Sequence, residues 1–143
     1  MKQIEALEIL KSGANVFLTG EPGAGKSYTI NLFSDYLRGR GIYPSITAST
    51  GIAATHINGI TIHSWAGIGI KEVITPADIR NILGKEYVVA RIRAAKVLII
   101  DEISMINGQT LDNVDMVCRE VRALDRMTAR GEAFGGLQVI FVG

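Results

Sequence analysis

The sequence predicts an α/β protein in which a mainly parallel β-sheet is flanked by helices. Short apolar runs alternate with helical patterns along the 143 residues, an order typical of this fold class. One run, KVLIID (96–101), is almost wholly aliphatic, as in a strand that is buried on both faces. A glycine-rich segment, GEPGAGKS (20–27), lies between an apolar run and a helical pattern. The length is sufficient for one domain with a sizeable core.

The first half of the chain has the order helix, strand, helix, strand. Residues 2–11 repeat apolar side chains with helical spacing, and the run NVFLT (15–19) predicts a strand. Residues 26–37 have one apolar face, which predicts a second helix that ends at the following GRG run. PSITAS (44–49) predicts a second strand, and Pro44 stands at its start, where a missing N–H is tolerated.

The second half adds two strands and three helices. The pattern is less regular before residue 96, with helices predicted over 76–83 and 86–94. LQVIFV (137–142) predicts the fourth strand. Because the chain stops at a glycine directly after this strand, we expect it to be part of a longer protein. The helix between the last two strands is marked by an apolar stripe with helical spacing: Leu111, Val114, Val117, Cys118, Val121 and Leu124.

The composition limits the class of protein. The chain has 15 lysines and arginines against 14 aspartates and glutamates, a net charge of +1, so the overall balance indicates neither a nucleic acid nor a membrane surface as partner. No apolar run approaches the roughly 20 residues of a membrane-spanning helix, and the N-terminus has no signal sequence. We expect a soluble, intracellular protein, located in the cytoplasm or, in a eukaryote, in the nucleus or mitochondrion.

Two local features have simple structural explanations. The single cysteine, Cys118, cannot form an internal disulfide, and we expect it to be buried in a reducing compartment. The second feature is a basic run that could follow a DNA backbone but is more simply a solvated helix face: Arg80, Lys85, Arg91, Arg93 and Lys96.

The glycine-rich segment matches the phosphate-binding pattern G-x-x-x-x-G-K-[ST] and has the required strand before it and helix after it. Glycines let backbone N–H groups converge on an anion, and the helix N-terminus adds partial positive charge. Lys26 is predicted to bind the β- and γ-phosphates of a nucleoside triphosphate, and the Ser27 hydroxyl to bind Mg²⁺. The alternative is a glycine-rich turn with a solvent-facing lysine. The predicted nucleotide-binding residues are Gly20, Glu21, Pro22, Gly23, Ala24, Gly25, Lys26, Ser27 and Tyr28.

Two carboxylates follow the third predicted strand, in VLIIDEISM. Ligands of open parallel sheets bind beyond the carboxyl ends of the strands, so we expect Asp101 beside the phosphate loop, where it would hold Mg²⁺ directly or through water. Glu102 is then the natural base to orient an attacking water. The alternative is an acidic pair at a helix start. A small-molecule kinase would not need the second acid, so the pair favours an ATPase.

Further motifs resemble those of a known family. ASTGIAATHINGITIHSWAGI (48–68), DEISM and FGGLQVIFVG (134–143) follow the phosphate loop in the order found in Pif1-family DNA helicases of superfamily 1, which move 5′ to 3′. The resemblance covers about residues 3–143. It implies the first RecA-like motor domain over 1–143, truncated after the fourth predicted strand, which uses ATP and Mg²⁺. It also implies single-stranded or forked DNA and a second RecA-like domain as partners, with roles in replication, repair, recombination or telomere maintenance.

The resemblance also implies roles for individual residues. Gln3 would recognise adenine through its amide, which suits the Watson–Crick edge of the base. Hydroxyls, small residues and a histidine in two segments would contact single-stranded DNA without reading its sequence. Trp65 is more simply a core residue, and Ser104 and Met105 would couple the nucleotide to DNA or pack in the core. The implied DNA-binding residues are Thr50, Gly51, Ala53, Thr61, His63 and Ser64.

Three alternatives remain open at this stage. A RecD-like or relaxase-type helicase shares the superfamily and direction, although the Gly-Gly-x-Gln strand argues against it. A DNA-independent regulatory ATPase would hydrolyse ATP without responding to single-stranded DNA. A small-molecule kinase would need an acceptor pocket that the sequence does not reveal. Since the second motor domain is absent from the sequence, we expect the chain alone not to unwind DNA.

Overall fold

A computed structural model describes residues 2–20 and 25–143 of the protein. In chain order, the helices within the described residues are α1 (Gln3–Lys11), α2 (Lys26–Gly39), α3 (Gly51–His56), α4 (Ile62–Ala66), α5 (Pro76–Leu83), α6 (Glu86–Ala94) and α7 (Gly108–Arg122). The strands are β1 (Val16–Leu18), β2 (Ser45–Ala48), β3 (Ile60–Thr61), β4 (Val97–Asp101) and β5 (Gln138–Val142). Short 3-10 turns follow β4 and α7.

All strand pairs in the described sheet are parallel, and the strand order is β1-β5-β4-β2-β3. This confirms the predicted fold class. The four predicted strands are present as β1, β2, β4 and β5. The sequence pattern missed β3, which has only two residues, so the fourth predicted strand is the fifth strand of the sheet.

The sheet separates two apolar layers because alternate residues of the buried strands point to opposite faces. In β4, Val97 and Ile99 belong to the layer formed with α1 and α2, whereas Leu98 and Ile100 belong to the layer formed with the helices α4 to α7. This explains why the sequence of β4 is aliphatic at successive positions. Trp65 is 2% exposed and belongs to the larger layer, so its simpler interpretation as a core residue is confirmed.

The predicted helices differ from the observed ones mainly at their ends. Because α7 ends at Arg122, Leu124 lies beyond the helix and is 57% exposed, so its place in the predicted apolar stripe is wrong. Cys118 is fully buried, as expected. Within the described residues, no helix is long and apolar enough to cross a membrane.

The start of α5 shows how side chains set a helix boundary. Thr75 caps the first turn, and the Asp78 carboxylate accepts hydrogen bonds from the Thr75 N–H at 2.8 Å and from its hydroxyl at 3.0 Å. Lys71 also pairs with Asp78. The hydrogen bond from Lys71, followed by that from the Thr75 backbone, lowers the pKa of Asp78 to about 2. These contacts anchor the irregular segment before α5.

Candidate functional site

Because the strands are parallel, their carboxyl ends lie at one edge of the sheet. The Lys26 ammonium, in the first turn of α2, donates a hydrogen bond to the carbonyl oxygen of Gly20 at 2.8 Å and another to that of Gly143. Gly20 follows β1 and Gly143 follows β5, so Lys26 joins the ends of two neighbouring strands. The predicted nucleotide ligands Glu21, Pro22, Gly23 and Ala24 lie outside the described residues.

Gly25 belongs to the glycine-rich segment 20–27 and directly precedes α2. It has a φ of +86°, a conformation that glycine adopts without strain. A Cβ atom at this position would lie 1.7 Å from the amide nitrogen of Gln3. The two residues therefore pack in direct contact, with the Gln3 amide against Gly25. At this end of α2, the Thr29 hydroxyl donates a hydrogen bond to the Gly25 carbonyl oxygen at 3.0 Å. Tyr28 is 58% exposed on the same helix.

Ser27 and Asp101 line the same small cavity between α2 and the ends of β4 and β5. A hydroxyl and a carboxylate are hard oxygen ligands of the kind that Mg²⁺ prefers, with phosphate and water oxygens to complete the shell. No group of three or more His, Cys, Asp or Glu residues suited to a metal occurs in residues 2–20 and 25–143. Because Ser27 and Asp101 supply only part of a Mg²⁺ shell, this donor set fits a cation that is bound together with a nucleotide.

Glu102 follows Asp101 in an unusual conformation. It has φ +52° and ψ +49°, in the left-handed region, and its N–H donates to Asp101 Oδ1 at 2.8 Å. Glu102 is exposed at the sheet edge, beside the exposed Ser104 and a Met105 that is 68% exposed. Met105 is therefore not a core residue, which excludes the packing role considered for it. The arrangement leaves the Glu102 carboxylate accessible to a water or ligand at the site.

Helix α3 begins directly after β2, whose last residue pairs with Asp101. The Thr50 hydroxyl caps α3 by accepting the Ala53 N–H at 3.2 Å, and Ala53 itself is only 5% exposed. Ala53 was expected to touch DNA, but its N–H is already donated and its methyl group packs in a small core with Ala48. Thr50 and Gly51 are exposed. Ile52 is 77% exposed beside them, a large apolar surface residue that the sequence motifs did not single out.

Helix α4 is built in the same way after β3. The Thr61 hydroxyl accepts the Ser64 N–H at 3.2 Å, and Ser64 is exposed while His63 is half-buried. Arg91, from the basic run, donates to the carbonyl oxygens of Ser64 and Trp65, both at 2.9 Å. Burial lowers the pKa of Arg91. Arg91 thus fixes α4 from the side of α6, a contact that charge alone in the sequence did not indicate.

Another member of the basic run also has a partner. Arg93 donates two hydrogen bonds to Asp125, at 3.0 and 2.5 Å. These bonds raise the pKa of Arg93 and lower that of Asp125. Arg91 and Arg93 therefore have partners within the protein, which argues against a continuous DNA-binding track along the basic run. The other three members of the run, Arg80, Lys85 and Lys96, are exposed.

The fold and this site define a class of protein. A parallel sheet that places a Gly-Lys-Ser helix start, an aspartate and a glutamate at its carboxyl edge is a P-loop NTPase domain with the RecA-like fold. The family model of the PIF1-like helicases matches residues 1–143. The chain belongs to the PIF1-like helicase family.

Individual relatives agree with the family. The chain is 51% identical to the ATP-dependent DNA helicase Pif1 of a Psychrobacter species over 143 residues, which is all of this chain and 21% of the relative. It superposes on the Pif1 helicase of Candida albicans with a TM-score of 0.86 at 36% identity, over 99% of this chain and 31% of that one.

A third comparison concerns a liganded structure. Pif1 of Bacteroides in complex with ADP-AlF3 and single-stranded DNA matches with a TM-score of 0.77 at 33% identity, over 99% of this chain and 31% of that one. The chain thus spans about a fifth to a third of the length of these relatives. The family match favours the Pif1 type over the RecD-like and relaxase-type alternatives.

Proposed function

We propose that this chain is the first motor domain of an ATP-dependent DNA helicase that moves 5′ to 3′ on single-stranded DNA. One observation carries the proposal: α3 and α4, the segments suited to DNA, begin at the same sheet edge as Lys26, Asp101 and Glu102. A motor must couple a nucleotide site to a DNA track. A shared edge of the sheet would hold the two sites in fixed positions relative to each other. The Bacteroides relative was solved in complex with both ADP-AlF3 and single-stranded DNA.

In this proposal the phosphate-binding residues exchange partners when ATP binds. The Lys26 ammonium, which bonds two backbone carbonyls in the described structure, would bind the β- and γ-phosphates instead. Ser27 and Asp101 would hold Mg²⁺, which neutralises charge on the phosphates. Glu102 would accept a proton from the attacking water, because it is exposed at the end of β4. Gln3 would bind adenine beside Gly25.

The DNA would lie across the starts of α3 and α4. Thr50, Gly51, Thr61, His63 and Ser64 offer hydroxyls and an imidazole to the sugar-phosphate backbone and to unpaired bases. The exposed Ile52 adds an apolar surface on which a base or sugar can rest. None of these groups reads a particular base, which a translocating motor requires. A second RecA-like domain of the same parent chain would close over the nucleotide and complete the track.

The test is unwinding by the full-length protein, with ATP and Mg²⁺, of duplexes that carry either a 5′ or a 3′ single-stranded tail. We expect only the 5′-tailed duplex to open. Lys26→Ala should abolish both opening and ATP hydrolysis because it removes the phosphate-binding ammonium. As a matched control, Lys96→Ala removes an exposed lysine just before β4, at the opposite edge of the sheet, and should leave unwinding unchanged.

Two outcomes would contradict the proposal. Opening of the 3′-tailed duplex alone would reverse the direction. If neither duplex opened and ATP hydrolysis did not respond to single-stranded DNA, a DNA-independent ATPase would be the better description. A Lys26→Ala variant that still opened the duplex would remove the phosphate loop from the mechanism.

A further inference from the structure

Gln138, in the Gly-Gly-x-Gln segment, has contacts that the proposed function does not use. It is the first residue of β5, and its backbone N–H donates to the Lys96 carbonyl at 3.1 Å at the start of the strand pairing with β4. Its side-chain amide nitrogen donates to two further carbonyl oxygens, those of Leu10 and Ala14, both at 2.9 Å. An amide nitrogen has two hydrogens, so both are used.

The two carbonyls belong to the end of α1 and to the segment that leads into β1. Leu10 is in the last turn of α1, where its carbonyl oxygen also accepts the Gly13 N–H at 3.2 Å. The next residue of β5, Val139, donates its N–H to Asn15 Oδ1 at 2.8 Å. Two adjacent residues at the start of β5 are therefore hydrogen-bonded to α1 and to the segment after it, more than 120 residues away in the chain.

The opposite end of α1 carries Gln3, whose amide packs against Gly25 at the phosphate loop. A helix of nine residues is a rigid rod of about 13 Å. The apolar contacts of this helix come from Ala6, Leu7 and Leu10, whereas its first residues, from Gln3 to Glu5, are exposed. The direction of the rod, and with it the position of Gln3, therefore depends on how its C-terminal end is fixed.

We infer that Gln138 is a positioning residue for the nucleotide base: by holding the C-terminal end of α1, it keeps Gln3 at the phosphate loop and sets the preference for adenine. The inference rests on the proposed function of Gln3 and extends it to a residue on the far side of the fold. Gln138 lies at the start of β5, away from the edge that carries Lys26, so it does not itself touch a nucleotide.

The test uses the full-length protein with Gln138→Met, which keeps the length of the side chain and removes the amide. ATP and GTP hydrolysis are measured in the wild type, in Gln138→Met, in Gln3→Ala and in the double variant. We expect Gln138→Met to raise the KM for ATP roughly fivefold, the effect of about one lost hydrogen bond. The KM for GTP and the kcat for ATP should change less than twofold. The KM for ATP of the double variant should be no higher than that of Gln3→Ala, because Gln138 acts only through the position of the Gln3 amide.

Asn15→Ala is the matched control. It removes the neighbouring contact with Val139 and should lower the melting temperature without changing the ratio of kcat/KM for ATP to that for GTP. Hydrogen exchange of the α1 amides without nucleotide provides a second measurement, and it should be faster in Gln138→Met than in Asn15→Ala.

Three results would overturn the inference: an unchanged nucleotide preference in Gln138→Met, an additive loss in the double variant, or an equal loss in Asn15→Ala. Lys26→Ala separates this failure from failure of the proposed function. If Lys26→Ala still hydrolyses ATP, the proposed nucleotide site is wrong. If it is inactive while Gln138→Met keeps the wild-type preference, only the role of Gln138 is wrong.

Discussion

At the level of single residues, the candidate site combines a buried strand with a strained backbone. Glu102 adopts φ +52° directly after β4, whose residues Leu98 and Ile100 are fully buried. A residue with a Cβ pays about 1–2 kcal/mol in the left-handed region. The hydrogen bond from the Glu102 N–H to Asp101 offsets part of this cost. Strain of this kind is common where geometry serves function.

This conformation leads to a prediction about Glu102 that separates activity from stability. Glu102→Gln keeps the shape of the side chain and removes the base, so ATP hydrolysis by the full-length protein should fall at least a hundredfold. Glu102→Gly should be equally inactive, but its free energy of unfolding should rise by about 1 kcal/mol because glycine relieves the strain. Denaturant unfolding and steady-state ATP hydrolysis measure the two effects.

The glutamine variant is the control for stability, since it retains a Cβ and should unfold like the wild type. Full hydrolysis by Glu102→Gln would show that the carboxylate is not the base. A glycine variant less stable than the glutamine variant would show that contacts of the Glu102 side chain, rather than backbone strain, dominate at this position.

At the level of elements, α7 fixes the turn that leads into β5. Asp115 Oδ1 accepts the N–H of Phe134 at 2.6 Å and the Arg119 Nε–H at 2.9 Å. Phe134 has φ +51°, and Gly135 packs so closely that a Cβ there would lie 2.7 Å from the Cys118 carbonyl. The first glycine of the Gly-Gly-x-Gln segment is therefore required by close packing against α7.

Asp115 should accordingly matter for stability although it is outside the candidate site. Asp115→Ala leaves the Phe134 N–H and the Arg119 Nε–H without their acceptor, which should lower the free energy of unfolding by about 1–3 kcal/mol. Asp112→Ala changes an exposed carboxylate on the same helix and should alter it by less than about 0.5 kcal/mol. Denaturant unfolding of both variants tests this, and an equal effect at both positions would contradict the role of the Phe134 contact.

The sequence was sufficient for the long elements, because their apolar spacing repeats over several turns or fills a buried strand such as β4. It did not reveal α3, β3 or α4, which have six, two and five residues. Periodicity cannot identify elements this short, and their caps and neighbours determine them instead.

The same limit applied to the candidate site. The position of Asp101 after a buried strand led us to expect it beside the phosphate loop, and in the structure Asp101 and Ser27 line one cavity. The motif could not show that Ala53 is buried, with its N–H bonded to the Thr50 cap, whereas the neighbouring Ile52 is exposed. Nor could the charge of Arg91 indicate that its partners would be two carbonyls of α4 rather than an external phosphate.

At the level of the whole molecule, the sheet separates the helices that carry the candidate nucleotide residues Lys26 and Gln3 from most of the core. Gln3 is in α1 and Lys26 is in α2, whereas Cys118 is on the buried face of α7 in the opposite layer. Burial, with a smaller contribution from Asp115, raises the pKa of the Cys118 thiol to about 12. The reactive thiolate is therefore scarce at neutral pH, and a thiol reagent reaches Cys118 only after the α7 layer opens.

This separation predicts how ATP should affect a cysteine that it never touches. If both layers unfold as one cooperative unit, ATP with Mg²⁺ at one hundred times its Kd should slow alkylation of Cys118 about a hundredfold, because ligand binding stabilises the folded state by about 2.7 kcal/mol. Alkylation in the full-length protein can be followed by mass spectrometry of the Cys118 peptide. Lys26→Ala should label at a rate that ATP does not change, since the nucleotide no longer binds.

Slowing in the wild type alone would show that the sheet couples its two faces. A wild-type rate insensitive to ATP, while hydrolysis remains intact, would show that the α7 layer opens independently of the nucleotide site, which would contradict the prediction of a single cooperative unit.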